Sequence, residues 1–129
     1  MRDYVTMRNV LMLTAAAKGK LCFNDFRGEL QDDTRLKEEL VRLEGEKLLD
    51  ADISLDGVFG RGRKCSVSGL TPEGRAFYRL IENDDVWSIV LETLRQANVD
   101  ISYPLLKEVC EEIVKRYVTS FIPDIGGKG

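Results

Sequence analysis

The chain has 129 residues, a formal net charge of −3, 43% apolar and 32% charged residues, and no histidine. This length and composition indicate a folded, charge-rich single domain that can bury one proper core. Without histidine there is no imidazole general base, no histidine-paired nucleophile and no zinc site that uses histidine.

The three cysteines predict neither a metal centre nor a disulfide framework. Cys22, Cys65 and Cys110 are 43 and 45 residues apart, and their odd number argues against a closed set of disulfides. We therefore expect buried thiols in a reducing cytoplasm, and no metal or other cofactor. No segment approaches the roughly 20 apolar residues of a membrane span, so no contact with a membrane is expected.

The charges fall into blocks that the total conceals. Residues 1–20 carry +3 and residues 21–60 carry −6, whereas residues 61–80 carry +4 and residues 81–129 carry −4. Such blocks can shape a binding surface even when the whole chain is nearly neutral.

The first 70 residues predict three helices and a hairpin. The start of the chain superficially resembles a signal peptide, but charged residues interrupt it, and Tyr4, Met7 and Leu11 have helical spacing. Residues 21–23 follow as a short strand or extended segment, and a short helix then runs through Leu30. A third helix is expected from Asp32 or Asp33 to about residue 43, with a leucine stripe at positions 36, 40 and 43. Alternating apolar residues at 49–53 and 65–69 predict two strands joined by a glycine-rich tip.

Three more helices are predicted after the hairpin. Thr71-Pro72-Glu73 is typical of a helix start, because threonine caps, proline suits the first turn and glutamate suits the positive end of the dipole. Asp84-Asp85 is expected to cap the next helix, and the last helix should begin near Ser102.

This order predicts an α+β, mostly helical fold, with a winged helix-turn-helix core and two additional C-terminal helices. We expect the winged-helix domain at residues 1–82, with the wing at about 47–70. The C-terminal helices should occupy residues 83–121 and pack on the same core, and residues 122–129 should form a flexible tail.

One segment carries a resemblance to known proteins. Leu70-Thr71-Pro72-Glu73-Gly74 follows the second strand directly, and the pattern continues through Asp85-Val86-Trp87 into an apolar last helix. This five-residue motif resembles one that is common among winged-helix proteins. The longer pattern resembles a group of small phage and prophage proteins that includes YjcQ-like members, whose function is largely unassigned. The resemblance implies a winged-helix fold and a phage or prophage origin, and it transfers no site residue.

Basic residues on the third helix and the wing are the predicted contacts to double-stranded DNA. Arg61, Arg63 and Lys64 at the wing tip would hold phosphates or enter the minor groove. On the third helix, the residues expected to face the major groove are Arg35, Lys37 and Arg42.

Each of these signals also has a plainer interpretation. The wing tip can be a solvated hairpin, and Arg35 can form ordinary surface pairs with Glu38 or Glu39, both of which we expect on the outer face. The basic residues of the first helix, among them Arg2, can extend a phosphate footprint or simply be solvated.

The last two helices carry more apolar residues than a single small core needs. A wide apolar stripe indicates a helix covered on two sides, which a homodimer would explain and a monomeric core would also accommodate. The residues predicted at a dimer interface are Trp87, Leu106, Ile113 and Tyr117.

The leading hypothesis is a DNA-binding regulator or accessory factor, dimeric and cytoplasmic. The rival is a winged-helix module that binds a protein, such as a host protein, because eleven acids surround the supposed reading helix. An enzyme is not expected, since no spacing nominates a catalytic pair and no phosphate-binding loop is present.

Overall fold

The computed structural model describes residues 2–28, 33–54 and 64–122. The chain divides into two compact units, an N-terminal unit of residues Arg2–Tyr78 and a C-terminal unit that begins at Arg79. The boundary lies inside a helix, four residues before the expected domain end at residue 82. The wing tip and the predicted tail from residue 123 onward lie outside the described residues.

The described residues form six helices and a two-stranded antiparallel sheet, so the fold is α+β and mostly helical. No helix among them is long and apolar enough to cross a membrane. The order of elements agrees with the order predicted from the sequence. In chain order the elements are α1 (Tyr4–Ala16), α2 (Phe23–Arg27), α3 (Thr34–Gly45), β1 (Leu49–Ser54), β2 (Lys64–Leu70), α4 (Pro72–Ile81), α5 (Asp84–Ala97) and α6 (Tyr103–Thr119).

The core of the N-terminal unit lies between α1, α3 and the sheet. The predicted stripes of α1 and α3 are confirmed, because Met7, Leu11 and the three leucines at 36, 40 and 43 are buried. Helix α1 contacts α3 and β2, and α3 contacts β1. The Asp3 carboxylate caps α1 by accepting the Thr6 backbone N–H at 3.0 Å.

Strands β1 and β2 pair in an antiparallel register with one irregularity between Asp50 and Ala51. The short strand expected at residues 21–23 is a single bridge, in which Leu21 and Val67 exchange two backbone hydrogen bonds of 2.9 Å. Three helices followed by a hairpin, with this bridge on its second strand, are compatible with a winged-helix-like fold.

The turn between β2 and α4 explains the sequence motif Leu70-Thr71-Pro72-Glu73-Gly74. The Thr71 hydroxyl donates to the Lys47 carbonyl at 2.6 Å and accepts the Gly74 N–H at 2.9 Å. Gly74 is buried, and a Cβ there would lie 2.0 Å from the Leu48 carbonyl oxygen. Glycine is therefore required because the helix approaches the backbone before β1 too closely for any side chain.

In the C-terminal unit, α5 and α6 contact each other. Helix α5 is capped by Asn83, whose side chain accepts the Asp85 and Val86 N–H groups, rather than by the predicted Asp84-Asp85 pair. Asparagine precedes the first helical residue, and the two aspartates occupy the first turn, where the helix dipole also favours negative charge.

Two residues predicted at a dimer interface are buried in this chain. Trp87 and Leu106 are only 7% and 0% exposed, so they have no surface to offer a second copy. The sequence showed a wide apolar face on each helix, but not which part of that face the rest of the chain covers. The other two, Ile113 and Tyr117, are half-buried.

Candidate nucleic-acid interface

Helix α3 presents its predicted DNA-contacting residues on two different sides. At 100° per residue, Arg35 and Arg42 share one face, whereas Lys37 lies about 140–160° away from them around the helix axis. The Arg35 guanidinium lies 3.4 Å from the Asp3 carboxylate. Lys37 thus lies at one edge of the exposed side of α3 and Arg35 at the other, with Glu38 and Val41 between them.

The face that holds Arg35 and Arg42 continues into a buried charge cluster. The Arg2 guanidinium donates to Glu39 at 3.1 Å and to Glu46 at 2.8 and 2.9 Å. Arg42 lies 3.4 Å from the same Glu46 carboxylate. Arg2, Glu39, Glu46 and Arg42 thus form a balanced set of two cations and two anions, which we call the charge cluster.

Two predictions for charged residues are wrong at this cluster. Arg2 was expected on a solvated or phosphate-binding surface, and Glu39 on the outer face of α3, but both are buried. A buried charge is tolerated only when it is paired and hydrogen-bonded, which each residue achieves through the other.

Burial and pairing act in opposite directions on the two pKa values. Burial lowers the pKa of Arg2, but hydrogen bonds to Glu39 and Glu46 outweigh it, and the net direction is upward. Burial raises the pKa of Glu39, and the guanidinium of Arg2 opposes that rise without cancelling it. Within the charge cluster, each buried charge is therefore held by an opposite charge of the same chain.

The opposite side of α3 opens onto a groove that we call the basic groove. Its volume is about 330 Å³, and it lies between α2, the start of α3 and the start of β2. Each of these elements contributes one cation, namely Arg27, Lys37 and Lys64. The structure thus brings together Lys37 and Lys64 from the predicted set and adds Arg27, which the sequence interpretation did not single out.

Carboxylates accompany two of these cations. The Lys37 ammonium lies 3.7 Å from Asp33, one turn earlier on α3, and the Lys64 ammonium lies 2.6 Å from Asp52 across the hairpin. Both pairs are partly or largely exposed, so each contributes at most about 1 kcal/mol and can be exchanged for a stronger anion. Three cations against these two carboxylates leave an excess of one positive charge at the basic groove.

Arg27 could have been found from its place in the sequence. It ends the short helix that follows the Leu21 bridge, and that helix lines the basic groove together with α3 and β2. Arg27 is also the only cation between Leu21 and Asp33. The remaining predicted contacts, Arg61 and Arg63, lie outside the described residues.

The walls of the basic groove include two thiols. Cys22 is exposed and Cys65 is half-buried, so the expectation of three buried cysteines holds only for Cys110. Burial raises the pKa of Cys65 and raises that of Cys110 to about 12, which keeps both thiols protonated at neutral pH. Within the described ranges, no group of three or more cysteine, aspartate or glutamate side chains is placed to hold a metal ion.

Comparisons with protein-family models, with curated proteins and with solved structures find no match for this chain. The functional argument therefore rests on the geometry described above.

Proposed function

We propose that this chain is a winged-helix protein that binds double-stranded DNA, as a phage or prophage regulator or accessory factor. The observation that carries the proposal is the basic groove, where three separate elements direct Arg27, Lys37 and Lys64 to one concave surface. Phosphate binding is favoured where cations from separate elements meet on one surface, because the side chains are then held in place before the ligand arrives.

The chemistry of the basic groove favours the DNA backbone over the bases. Lysine ammonium groups act as point charges on phosphates, whereas bidentate arginine reads guanine edges. The sequence also predicts phosphate contacts from Arg61 and Arg63. We therefore propose modest, salt-dependent binding in which the basic groove positions the duplex.

The test is fluorescence anisotropy with a labelled mixed-sequence duplex, titrated at several salt concentrations. Neutralising three phosphates predicts that log K falls with log salt at a slope of roughly −3. Lys37→Gln and Lys64→Gln should each reduce the magnitude of that slope by about one. Arg95→Gln is the matched control, because Arg95 is an exposed cation on α5 outside the basic groove, and it should leave the slope unchanged. No binding at low salt, or an equal loss from Arg95→Gln, would overturn the proposal.

A protein-binding module is the second candidate. It is favoured because each described residue of the predicted DNA set has a carboxylate within 4 Å, as for Arg35 with Asp3 and Arg42 with Glu46. Such pairing weakens attraction to a polyanion. A pull-down from host lysate after nuclease treatment separates the two: a stoichiometric protein partner lost in Lys37→Gln favours this candidate.

We further propose that the protein works in the cytoplasm by binding rather than catalysis, and that it is a homodimer. The dimer proposal draws on apolar residues that remain exposed in the C-terminal unit, including Ile89 and Leu105.

A further inference from the structure

Another groove lies within the C-terminal unit, between α5 and α6, and we call it the apolar groove. The two helices are antiparallel, because the Tyr117 hydroxyl in the second half of α6 donates to Asp85 at the start of α5 at 3.2 Å. The apolar groove has a volume of about 470 Å³, and Ile89, Val109, Ile113 and Tyr117 contribute its apolar lining.

The apolar lining is open to solvent in this chain. Of its apolar residues, Ile89 is 44% exposed, and Val109, Ile113 and Tyr117 are half-buried. Exposed apolar side chains that line one concave surface, as opposed to single scattered ones, mark an interaction site. The charged residues at this groove are Glu112 and Arg116, which lie 3.3 Å apart on successive turns and are both largely exposed.

The order of charges along α6 indicates what covers the apolar groove. On the side of α6 that lines the apolar groove, the exposed charged residues are Glu112 before Ile113 and Arg116 after it. An antiparallel copy of the same helix reverses this order, so the acidic position of each copy faces the basic position of the other.

We propose that the apolar groove docks a second copy of this chain, with the two α6 helices antiparallel about a two-fold axis level with the midpoint between Glu112 and Arg116. In this arrangement Glu112 faces the partner's Arg116, and Arg116 faces the partner's Glu112. The two helical hairpins then form a four-helix bundle whose centre buries Ile89, Val109 and Ile113. A two-fold axis makes one sequence complementary to itself, whereas an unrelated partner would need its own matched charges.

The size of the surface sets the strength of this association. Helix α6 has 17 residues and α5 has 14. At 1.5 Å per residue and about 10 Å per helix width, the pair offers a face of roughly 25 by 20 Å, or about 500 Å². Two such faces total about 1,000 Å², which is close to the lower limit for a specific interface. We therefore expect a reversible dimer with a dissociation constant in the micromolar range.

The test is sedimentation equilibrium of the full chain over a concentration series, with charge-reversed variants. Glu112→Arg places two like charges opposite each other at both contacts, and so does Arg116→Glu, so each variant alone should sediment as a monomer. An equimolar mixture should restore the dimer, because Glu112→Arg in one copy and Arg116→Glu in the other give opposite charges at both contacts. Glu111→Arg is the matched control, about 100° away on the same helix, and should leave the dimer intact.

The mixture result separates this arrangement from the alternatives. Restoration in the mixture supports the antiparallel pair, and it does so whether or not the protein binds DNA. A wild-type chain that stays monomeric at millimolar concentration would overturn the proposal and leave the apolar groove to another occupant. A dimer that survives both single variants would also overturn it, because the contact would then lie elsewhere. Far-UV circular dichroism of each variant checks that the helices are intact.

Discussion

Each unit departs in its own way from the rule that apolar side chains are buried and charged side chains are exposed. The N-terminal unit buries charge, with Arg2 and Glu39 both inside, whereas the C-terminal unit leaves Ile89, Leu105 and Val118 exposed. Buried charges must be matched within the chain, since no solvent reaches them, and the charge cluster supplies that match. Exposed apolar side chains can be matched only from outside. The N-terminal unit exposes apolar residues too, among them Val5, Met12 and Val41, so what distinguishes the units is the buried charge of the first and the apolar groove of the second.

The grooves repeat this contrast. The basic groove would attract its ligand through charge, which salt screens, and the apolar groove would bind through burial of apolar surface, which salt does not weaken. Raising the salt concentration should therefore weaken DNA binding much more than it weakens self-association. Four substitutions test this contrast between the two units.

The largest effect is expected at the charge cluster. Glu39→Leu removes one of the two carboxylates that pair with buried Arg2 and should lower the free energy of unfolding by about 3 kcal/mol, because Glu46 alone then faces both Arg2 and Arg42. Glu38→Leu is the matched control on the exposed side of the same helix and should change stability by about 0.5 kcal/mol or less. Urea denaturation measures both, and equal losses would contradict the described burial of Glu39.

The second-largest loss of stability is expected where α4 approaches the Leu48 carbonyl in the same unit. Gly74→Ala places a Cβ 2.0 Å from the Leu48 carbonyl oxygen, so α4 or the segment before β1 must move. We expect a loss of about 1–3 kcal/mol in the same urea experiment. Gly45→Ala at the end of α3, where a Cβ would meet nothing within 4 Å, is the control. A neutral Gly74→Ala would show that the approach is looser than described.

The third change tests the exposed apolar residues of the C-terminal unit. Ile89→Lys should weaken dimerisation at least about tenfold, equal to about 1.4 kcal/mol, while the stability of the monomer changes little. Val41→Lys is the matched control, because Val41 is a 50% exposed apolar residue on α3 of the other unit. Sedimentation across a concentration series measures both variants. A similar mass shift in both would remove the distinction between the two units.

The smallest effect concerns an exposed charge pair of the N-terminal unit. Partial burial raises the pKa of Asp3, but the Thr6 N–H and the Arg35 guanidinium outweigh it, and the net direction is below the ordinary value of 3.8. The folded state therefore holds this carboxylate ionised, which adds stability above pH 3.8 that is lost as the pH falls through the lower folded value.

The variant Asp3→Asn isolates that contribution, because asparagine still caps α1 but carries no charge. At pH 7 we expect a loss well below 1 kcal/mol, since solvent screens the pair with Arg35. The difference from wild type should shrink as the pH falls below 4 in urea denaturation at stepped pH. A constant difference would mean that the charge of Asp3 does not stabilise the fold.

Much of the fold could be predicted from local patterns. The structure follows three such patterns: the leucine stripe of α3, the alternation of apolar residues in β1, and the Thr71-Pro72-Glu73 start of α4. Periodicity identifies these elements because it depends only on which side of a helix or strand is apolar. The candidate site was predicted in part: Lys37 and Lys64 share a groove, whereas Arg35 and Arg42 lie on another side of α3.

Local spacing along the chain predicts the order of elements and the apolar side of each. Which charged residues are buried and which line a groove depends on the packing of the elements against one another. Glu39 is buried because Arg2, 37 residues earlier, reaches it, and Arg27 joins Lys37 and Lys64 because three separate elements meet. Both depend on contacts between distant parts of the chain, which local spacing does not encode.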